Sequence, residues 1–173
     1  MKNSGRDLIA GGLCVSLSVV VPWLFHILGL GSTLLPIFYP ILAAGFLTSL
    51  PVAAAVGFLG PLVSAVLTGM PPLYPPMAFV LSAEGIALGI LSSIFRRRLR
   101  AGIRLSLAVA LVGERLVLLA SIAVVSRWLN LPAGFLGWVS FLRSLPGVVV
   151  IFFAFPPMIS AIERKMHSMP VME

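Results

Sequence analysis

The segment Thr68-Gly69-Met70-Pro71-Pro72-Leu73-Tyr74-Pro75-Pro76 separates two long apolar runs and carries no charge. Each of its four prolines lacks a backbone N–H donor, and Gly69 permits a positive φ, so this segment cannot form a regular helix. It is predicted to be a rigid connection between two helices. Because a simple solvated loop would be more polar, the side chains of Met70, Leu73 and Tyr74 indicate a wall or lid of a binding site.

The composition places the whole chain in a membrane. Of its 173 residues, 60% are hydrophobic and only 10% are charged, more apolar surface than a soluble domain of this size could bury. Residues 1–173 are therefore expected to form a single integral membrane domain. The apolar run Leu8–Leu30 is longer than the core of a signal peptide and lacks a small-residue cleavage pattern after it, so it is expected to be a retained anchor.

Charge and cysteine content exclude several kinds of site. Cys14 is the only cysteine, which excludes an intramolecular disulfide and a multi-cysteine metal site. The five acidic residues are spread along the chain, so neither a metal site nor a bound cofactor is expected. The net charge of +7 comes from cations beside apolar runs, as the positive-inside rule predicts, and needs no nucleic acid partner.

The distribution of cations predicts the number of helices. The clear spans are Leu8–Leu30, Phe79–Phe95, Leu105–Ser126 and Leu145–Ile162, while Pro36–Thr68 is either one kinked helix or two short helices divided near Ser49-Leu50-Pro51. Two helices give an all-α six-transmembrane-helix bundle with nine cations on the side of both termini against two opposite; one helix gives four against seven. The positive-inside rule therefore favours six helices with both termini cytoplasmic. The nine cations are Lys2, Arg6, Arg96, Arg97, Arg98, Arg100, Arg104, Arg164 and Lys165.

Three charged residues fall inside predicted spans. Glu84 lies in the fourth helix, and Glu114 and Arg115 lie near the middle of the fifth. A charge at the bilayer centre costs at least about 2.5–3.5 kcal/mol on insertion scales, so these side chains should face a cavity or one another. Two alternatives follow: a structural pair such as Glu84 with Arg115, or a polar floor for a ligand.

The predicted topology brings several candidate ligand contacts to the outer side. The outer loops contain Phe38 and Tyr39, then Met70 and Tyr74, and apolar walls with a few polar groups are typical of small-molecule sites. Either tyrosine could stack on an aromatic ligand. Arg127 and Arg143 border the last outer loop, where they could bind a carboxylate or anchor the chain at the interface. The predicted substrate-binding residues are thus Phe38, Tyr39, Met70, Tyr74, Glu84, Arg115, Arg127 and Arg143.

Small residues recur every four positions in the first, third and fourth predicted helices. Such stripes let helices approach closely in a membrane. The stripes are Ala10/Cys14/Ser18, Gly60/Ser64/Thr68 and Gly85/Gly89. Packing inside the bundle is the simplest interpretation, but the stripe on the first helix is the one expected to face another protein.

Two segments resemble the substrate-binding S components of energy-coupling factor (ECF) vitamin transporters: Leu35–Leu47 (LPIFYPILAAGFL) and Gly60–Pro72 (GPLVSAVLTGMPP). The resemblance covers roughly residues 30–95. It implies a six-helix protein of the prokaryotic plasma membrane that captures a vitamin or related micronutrient from outside. The implied partners are a transmembrane coupling subunit and two cytoplasmic ATPases, with Ala10, Cys14 and Ser18 at the docking stripe. The chain departs from the family pattern at Phe38, where a histidine is common, and at Val80 and Glu84, where a glutamate and a tyrosine are expected.

Two other classes of function are weighed against this one. An enzyme is not expected, because there is no Gly-x-Ser-x-Gly motif, His26 and His167 fall on opposite sides of the membrane, and the acids are too dispersed for a metal-dependent transferase. The main alternative is a structural six-helix subunit of a cell-envelope machine, which would bind no solute. A stand-alone carrier is disfavoured because no inverted repeat is evident.

Overall fold

The computed structural model describes residues 4–73, 76–129 and 133–168, and within them the chain forms helices and short connections without strands. Most of these helices carry apolar side chains around their whole circumference. In a membrane no water is present to bond the backbone, so such segments form helices, which satisfy their own N–H and C=O groups. The helices are α1 (Ser4–Ile27), α2 (Gly31–Leu34), α3 (Phe38–Leu47), α4 (Leu50–Thr68), α5 (Met77–Ser93), α6 (Ile103–Trp128) and α7 (Ala133–Ser168), with a π-helical turn Ile94–Arg98 extending α5.

Five of the described helices are long and apolar enough to cross a membrane. They contain the segments Gly5–Ile27, Leu50–Thr68, Met77–Arg98, Ile103–Trp128 and Phe141–Lys165. The sequence predicted each of these spans, although α7 extends well beyond the predicted Leu145–Ile162. The chain is therefore a multi-pass helical membrane protein.

Helix α3 is shorter than the other spans and lies at the centre of the bundle. It has 10 residues, which extend about 15 Å at 1.5 Å per residue and so cover only half of the hydrocarbon layer. Most of its side chains are buried, and it packs against α1, α4, α5 and α7. The ring of Phe46 lies edge-on to Phe155 of α7, with centroids 5.3 Å apart. The short helix thus supplies much of the apolar core.

The region 36–68 consists of two helices, as the charge distribution predicted. The break falls at Thr48 and Ser49, just before Pro51, which lacks an N–H and is well accommodated in the first turn of α4. The Thr48 hydroxyl donates to the Ala44 carbonyl at 2.8 Å, and the Ser49 N–H donates to Asp7 Oδ2 at 3.0 Å. The bond to Asp7 satisfies the Ser49 N–H, which the break would otherwise leave without a partner.

Glycines set the closest approach between α4 and α5. A Cβ added at Gly57 would lie 2.2 Å from the Gly85 carbonyl oxygen, and one at Gly85 would lie 2.3 Å from the Gly57 carbonyl oxygen. Farther along, a Cβ at Gly89 would lie 2.5 Å from the Ala53 carbonyl oxygen. Backbone therefore packs directly on backbone, and the Gly85/Gly89 pair serves internal packing.

The small stripe of α1 also packs inside the protein. Cys14 and Ser18 are buried, and Ala10 is half-buried. A Cβ added at Gly60 of α4 would lie 3.0 Å from the Ser18 side chain, so the small residues let α1 approach α4. The prediction that this stripe faces a coupling subunit is therefore wrong for Cys14 and Ser18, because four-residue periodicity does not specify which neighbour a helix face meets.

Candidate functional site

A cavity of about 450 Å³ lies in the half of the bundle where α1 and α4 end and α5 begins. Its volume falls in the range typical of small-molecule sites, roughly 300–1,000 Å³. Six parts of the chain form its wall: the end of α1, the segment from α2 to α3, the end of α4 with the loop that follows, α5, α6 and α7. The lining residues are Pro22, His26, Gly31, Leu35, Pro36, Ile37, Ser64, Met70, Pro71, Pro72, Met77, Leu81, Glu84, Arg115, Leu118, Arg143 and Ser144.

The loop after α4 is attached at both ends. Gly69 ends α4 in the left-handed conformation, with φ of 73°, which a residue with a side chain rarely adopts. The Ser64 hydroxyl donates to the Met70 carbonyl at 2.8 Å, and the Ala78 N–H donates to the Pro72 carbonyl at 3.2 Å. These bonds hold Met70, Pro71 and Pro72 over the cavity. The predicted wall at Met70 is thus where the sequence placed it.

A buried ion pair lies within α6 at the floor of the cavity, and its arginine also bonds to α7. Arg115 Nη2 donates to Glu114 Oε1 at 2.7 Å, and Arg115 Nη1 donates to the hydroxyl of Ser144 on α7. Glu114 is fully buried. The sequence suggested Glu84 with Arg115 as one possible structural pair. In the structure Arg115 instead forms its ion pair with the adjacent residue, Glu114, because the long arginine side chain can reach back to its neighbour.

Glu84 on α5 completes this buried charged cluster. It is buried, lies beside Glu114 and Arg115, and also lines the cavity. Burying an acidic side chain away from water is costly unless a cation is near, so the positive charge of Arg115 offsets part of that cost for both acids.

Two polar atoms of the cluster lack a hydrogen-bond partner. Among the described residues, Glu114 Oε2 and Arg115 Nε are buried without a donor or acceptor in reach. Such unsatisfied atoms are uncommon in proteins. Both are enclosed by protein, so the part of the cluster that faces the cavity is formed by Glu84 and by other atoms of Arg115.

Arg143 supplies a second cation to the cavity wall. It lies on α7, one residue before Ser144, and its side chain is exposed. Among the described acidic residues none forms an ion pair with it. The predicted contact at Arg143 thus adjoins the cavity, whereas Arg127 is exposed on α6 and does not line it.

The first outer segment meets the cavity at different residues from those predicted. Phe38 is completely buried in the main hydrophobic core, and Tyr39 is half-buried against that core. Neither lines the cavity, so their prediction as wall residues is wrong. The preceding residues, from Leu35 to Ile37, line it instead. Leu35 has a φ of 50°, and this turn directs the chain inward before α3 begins. Tyr74 lies outside the described residues.

Two polar residues of the site were not predicted from the sequence. His26 was interpreted as an interfacial histidine, yet it lines the cavity beside Gly31, where an added Cβ would clash with the imidazole ring. Nothing in the sequence around Ser144 marks it as a site residue, because its role depends on a hydrogen bond from Arg115 on another helix. The described residues contain no group of three or more His, Cys, Asp or Glu side chains able to hold a metal ion.

Comparison of this chain with family models, with curated proteins and with solved structures found no match. The cavity must therefore be interpreted from its own geometry. Its apolar wall, few converging polar groups and buried charged floor are the features of a small-molecule site.

Proposed function

We propose that this protein is the substrate-binding S component of an ECF-type transporter, which binds a vitamin-sized solute from outside the cell. The cavity is the observation that carries this proposal. The two segments that resemble the family, Leu35–Leu47 and Gly60–Pro72, both contribute lining residues to it. The segments that carry the resemblance thus lie at the cavity, which was located independently from the geometry of the structure.

The proposed topology has six crossings with both termini in the cytoplasm. Asp7 at the start of α1 bonds to Ser49, whereas His26 near the other end of α1 packs against Gly31. The chain from Gly31 to Ser49 therefore connects opposite ends of α1, and α2 with α3 makes the sixth crossing despite the short length of α3.

The charged end of the bundle supports the orientation. Arg96 forms an ion pair with Glu163 at 2.7 Å, so the cationic turn after α5 lies beside the last turns of α7. Arg97, Arg98 and Arg100 are exposed nearby in sequence. Facing this end to the cytoplasm satisfies the positive-inside rule and leaves the cavity toward the outside.

Cysteine labelling tests this orientation in a Cys14→Ala background. A cysteine replacing Leu99 should react with a membrane-impermeant maleimide only from the cytoplasmic side. A cysteine replacing Leu73 should react only from outside, because both positions are exposed and lie at opposite ends of the bundle. Reaction of both positions from the same side of sealed vesicles would refute the six-crossing topology.

In this proposal the protein uses no ATP itself. It holds the solute in the cavity and then associates with a transmembrane coupling subunit and two cytoplasmic ATPases, all within the plasma membrane of a prokaryote. The structural-subunit alternative requires no bound solute, so saturable binding by the purified protein separates the two functions.

Filling the cavity should weaken this binding. Leu81 lines the cavity from α5, and Leu81→Trp is expected to reduce the affinity for the copurifying solute at least tenfold, or about 1.4 kcal/mol. Mass spectrometry of small molecules released from the purified protein would identify the solute, and isothermal calorimetry would then measure its affinity.

The matched control is Leu116→Trp, which adds the same indole at an exposed position of α6 outside the cavity. It should bind the solute like the unmodified protein. Equal affinities for all three proteins would place the site elsewhere, while a lack of any saturable solute would favour the structural subunit.

A further inference from the structure

The arginines that follow α5 form an exposed cationic surface at the end of the bundle away from the cavity. We propose that this surface binds the phosphate group of an anionic phospholipid in the adjoining leaflet, with Leu99 inserted among the lipid chains. This inference goes beyond solute binding and does not depend on it. Its support is the position of the turn in the membrane, the arrangement of its charges and the exposure of one apolar side chain.

The turn is held at the level of the lipid headgroups. Residues 99–102 alone join two segments able to cross the membrane, Met77–Arg98 and Ile103–Trp128. Backbone bonds fold this link tightly, since the Leu99 N–H donates to the Ile94 carbonyl at 2.9 Å and the Ala101 N–H donates to the Phe95 carbonyl at 2.8 Å. A headgroup layer is roughly 5–7 Å thick. A folded link this short, which must return to the membrane, therefore stays beside the headgroups.

The charge of this surface is of one sign. Its exposed cations are Arg97, Arg98, Arg100 and Arg104, and the sequence has no Asp or Glu from position 85 to position 113. Clusters of several arginines or lysines at the end of a membrane span are typical of anionic lipid binding. Water alone would solvate these arginines adequately. Beside a bilayer, however, they attract anionic headgroups in preference to zwitterionic ones.

Arg96 has a different role from the arginines that follow it. Its side chain forms an ion pair with Glu163 of α7 at 2.7 Å and also donates to the Ala101 carbonyl at 3.3 Å. These contacts tie the turn to α7, so the remaining arginines are carried on a fixed backbone. Each guanidinium group can donate two parallel N–H bonds to a phosphate, a geometry that the ammonium group of lysine does not offer.

An exposed leucine distinguishes a lipid from a soluble anion. Leu99 lies between Arg98 and Arg100 and is 59% exposed, and Leu105, which follows Arg104, is 57% exposed. Apolar side chains gain free energy when they are removed from water. The acyl chains of a lipid whose phosphate is held by the arginines would cover these leucines, whereas a free phosphate ion would leave them uncovered.

Lipids that share acyl chains and differ in headgroup test the proposal. Dioleoyl phosphatidylglycerol and dioleoyl phosphatidylcholine are each titrated into the full-length protein in detergent, and native mass spectrometry measures the lipid bound. Phosphatidylglycerol should occupy its tightest site with at least tenfold higher affinity than phosphatidylcholine. Glycerol 3-phosphate, the soluble source of the same chemistry, should not displace it at equal concentration.

Substitution of the arginines beside Leu99 locates the site. Because each arginine near an anionic lipid contributes a factor of about fivefold, Arg98→Gln with Arg100→Gln should weaken phosphatidylglycerol binding at least tenfold and leave phosphatidylcholine binding unchanged. The matched control, Arg6→Gln with Arg127→Gln, removes two exposed arginines elsewhere and should bind phosphatidylglycerol like the unmodified protein. Thermal unfolding establishes that each variant is folded.

Two further variants keep the charge and so keep the test valid if the glutamine variant unfolds. Arg98→Lys with Arg100→Lys should lose affinity to an intermediate extent, and Leu99→Asn should weaken phosphatidylglycerol binding several-fold. Equal binding of the two lipids, equal loss in the two glutamine variants, or displacement by glycerol 3-phosphate would overturn the proposal. None of these results bears on solute binding in the cavity, which is tested separately.

Discussion

Gly85→Val should leave little correctly packed protein, because a side chain at this position must push two helix backbones apart. Even a Cβ would lie 2.3 Å from the Gly57 carbonyl oxygen and 3.1 Å from its Cα. Overpacking against movable side chains typically costs about 1–3 kcal/mol. Here the obstacle is backbone, so we expect a loss of more than about 3 kcal/mol, or roughly 6–12 °C in the unfolding midpoint of a chain of this length.

The matched control is Gly12→Val on α1, where an added Cβ meets no atom within 4 Å. It carries the same valine in a helix but faces outward. Thermal unfolding and size-exclusion chromatography of the two variants in the same detergent make the comparison. If Gly85→Val unfolds at the same temperature as Gly12→Val, the direct packing of α4 on α5 is incorrect.

Arg115→Met should destabilise the bundle by about 3–5 kcal/mol, since it leaves the acids of the floor without their cation. Glu114 is completely buried and forms its ion pair with this arginine. The substitution also removes the bond to Ser144 on α7. We expect a large fall in the unfolding midpoint together with loss of solute binding.

A double variant separates loss of charge balance from loss of packing. Glu114→Gln with Arg115→Met removes both members of the ion pair, and it should recover most of the stability lost in Arg115→Met. For comparison, Arg96→Met breaks an ion pair whose side chains are 28% and 24% exposed, so it should cost about 1 kcal/mol or less. Equal destabilisation by Arg96→Met and Arg115→Met would show that burial of the pair is unimportant.

The topology illustrates how sequence and structure complement each other. The count of cations predicted a further helix between α1 and α4, and Pro51 indicated where the chain must break. Neither feature indicated that α3 would have only 10 residues. Its short length is possible because its surface is covered by other helices, so the connection at Leu35 lies within protein, where non-helical backbone is tolerated.

The apolar runs of this chain predict its helices, because runs of about 20 apolar residues satisfy their backbone within a membrane by helical hydrogen bonds. The sequence also drew attention to Met70, Glu84, Arg115 and Arg143, which all line the cavity, since rigid uncharged loops and charges inside or beside apolar spans stand out in any environment. These features are local, and their chemistry can be recognised without knowing the neighbouring helix.

The neighbour that each side chain meets becomes known from the packing of the helices. This packing turned Phe38 and Tyr39 toward the core, buried Cys14 and Ser18 against α4, and brought His26 to the cavity. It also paired Arg115 with Glu114 and Ser144. The physical reason is that apolar residues surround these helices on nearly every face, so periodicity cannot distinguish lipid from protein. The rotation of each helix is set instead by the close approach of small residues on different helices, which no single segment encodes.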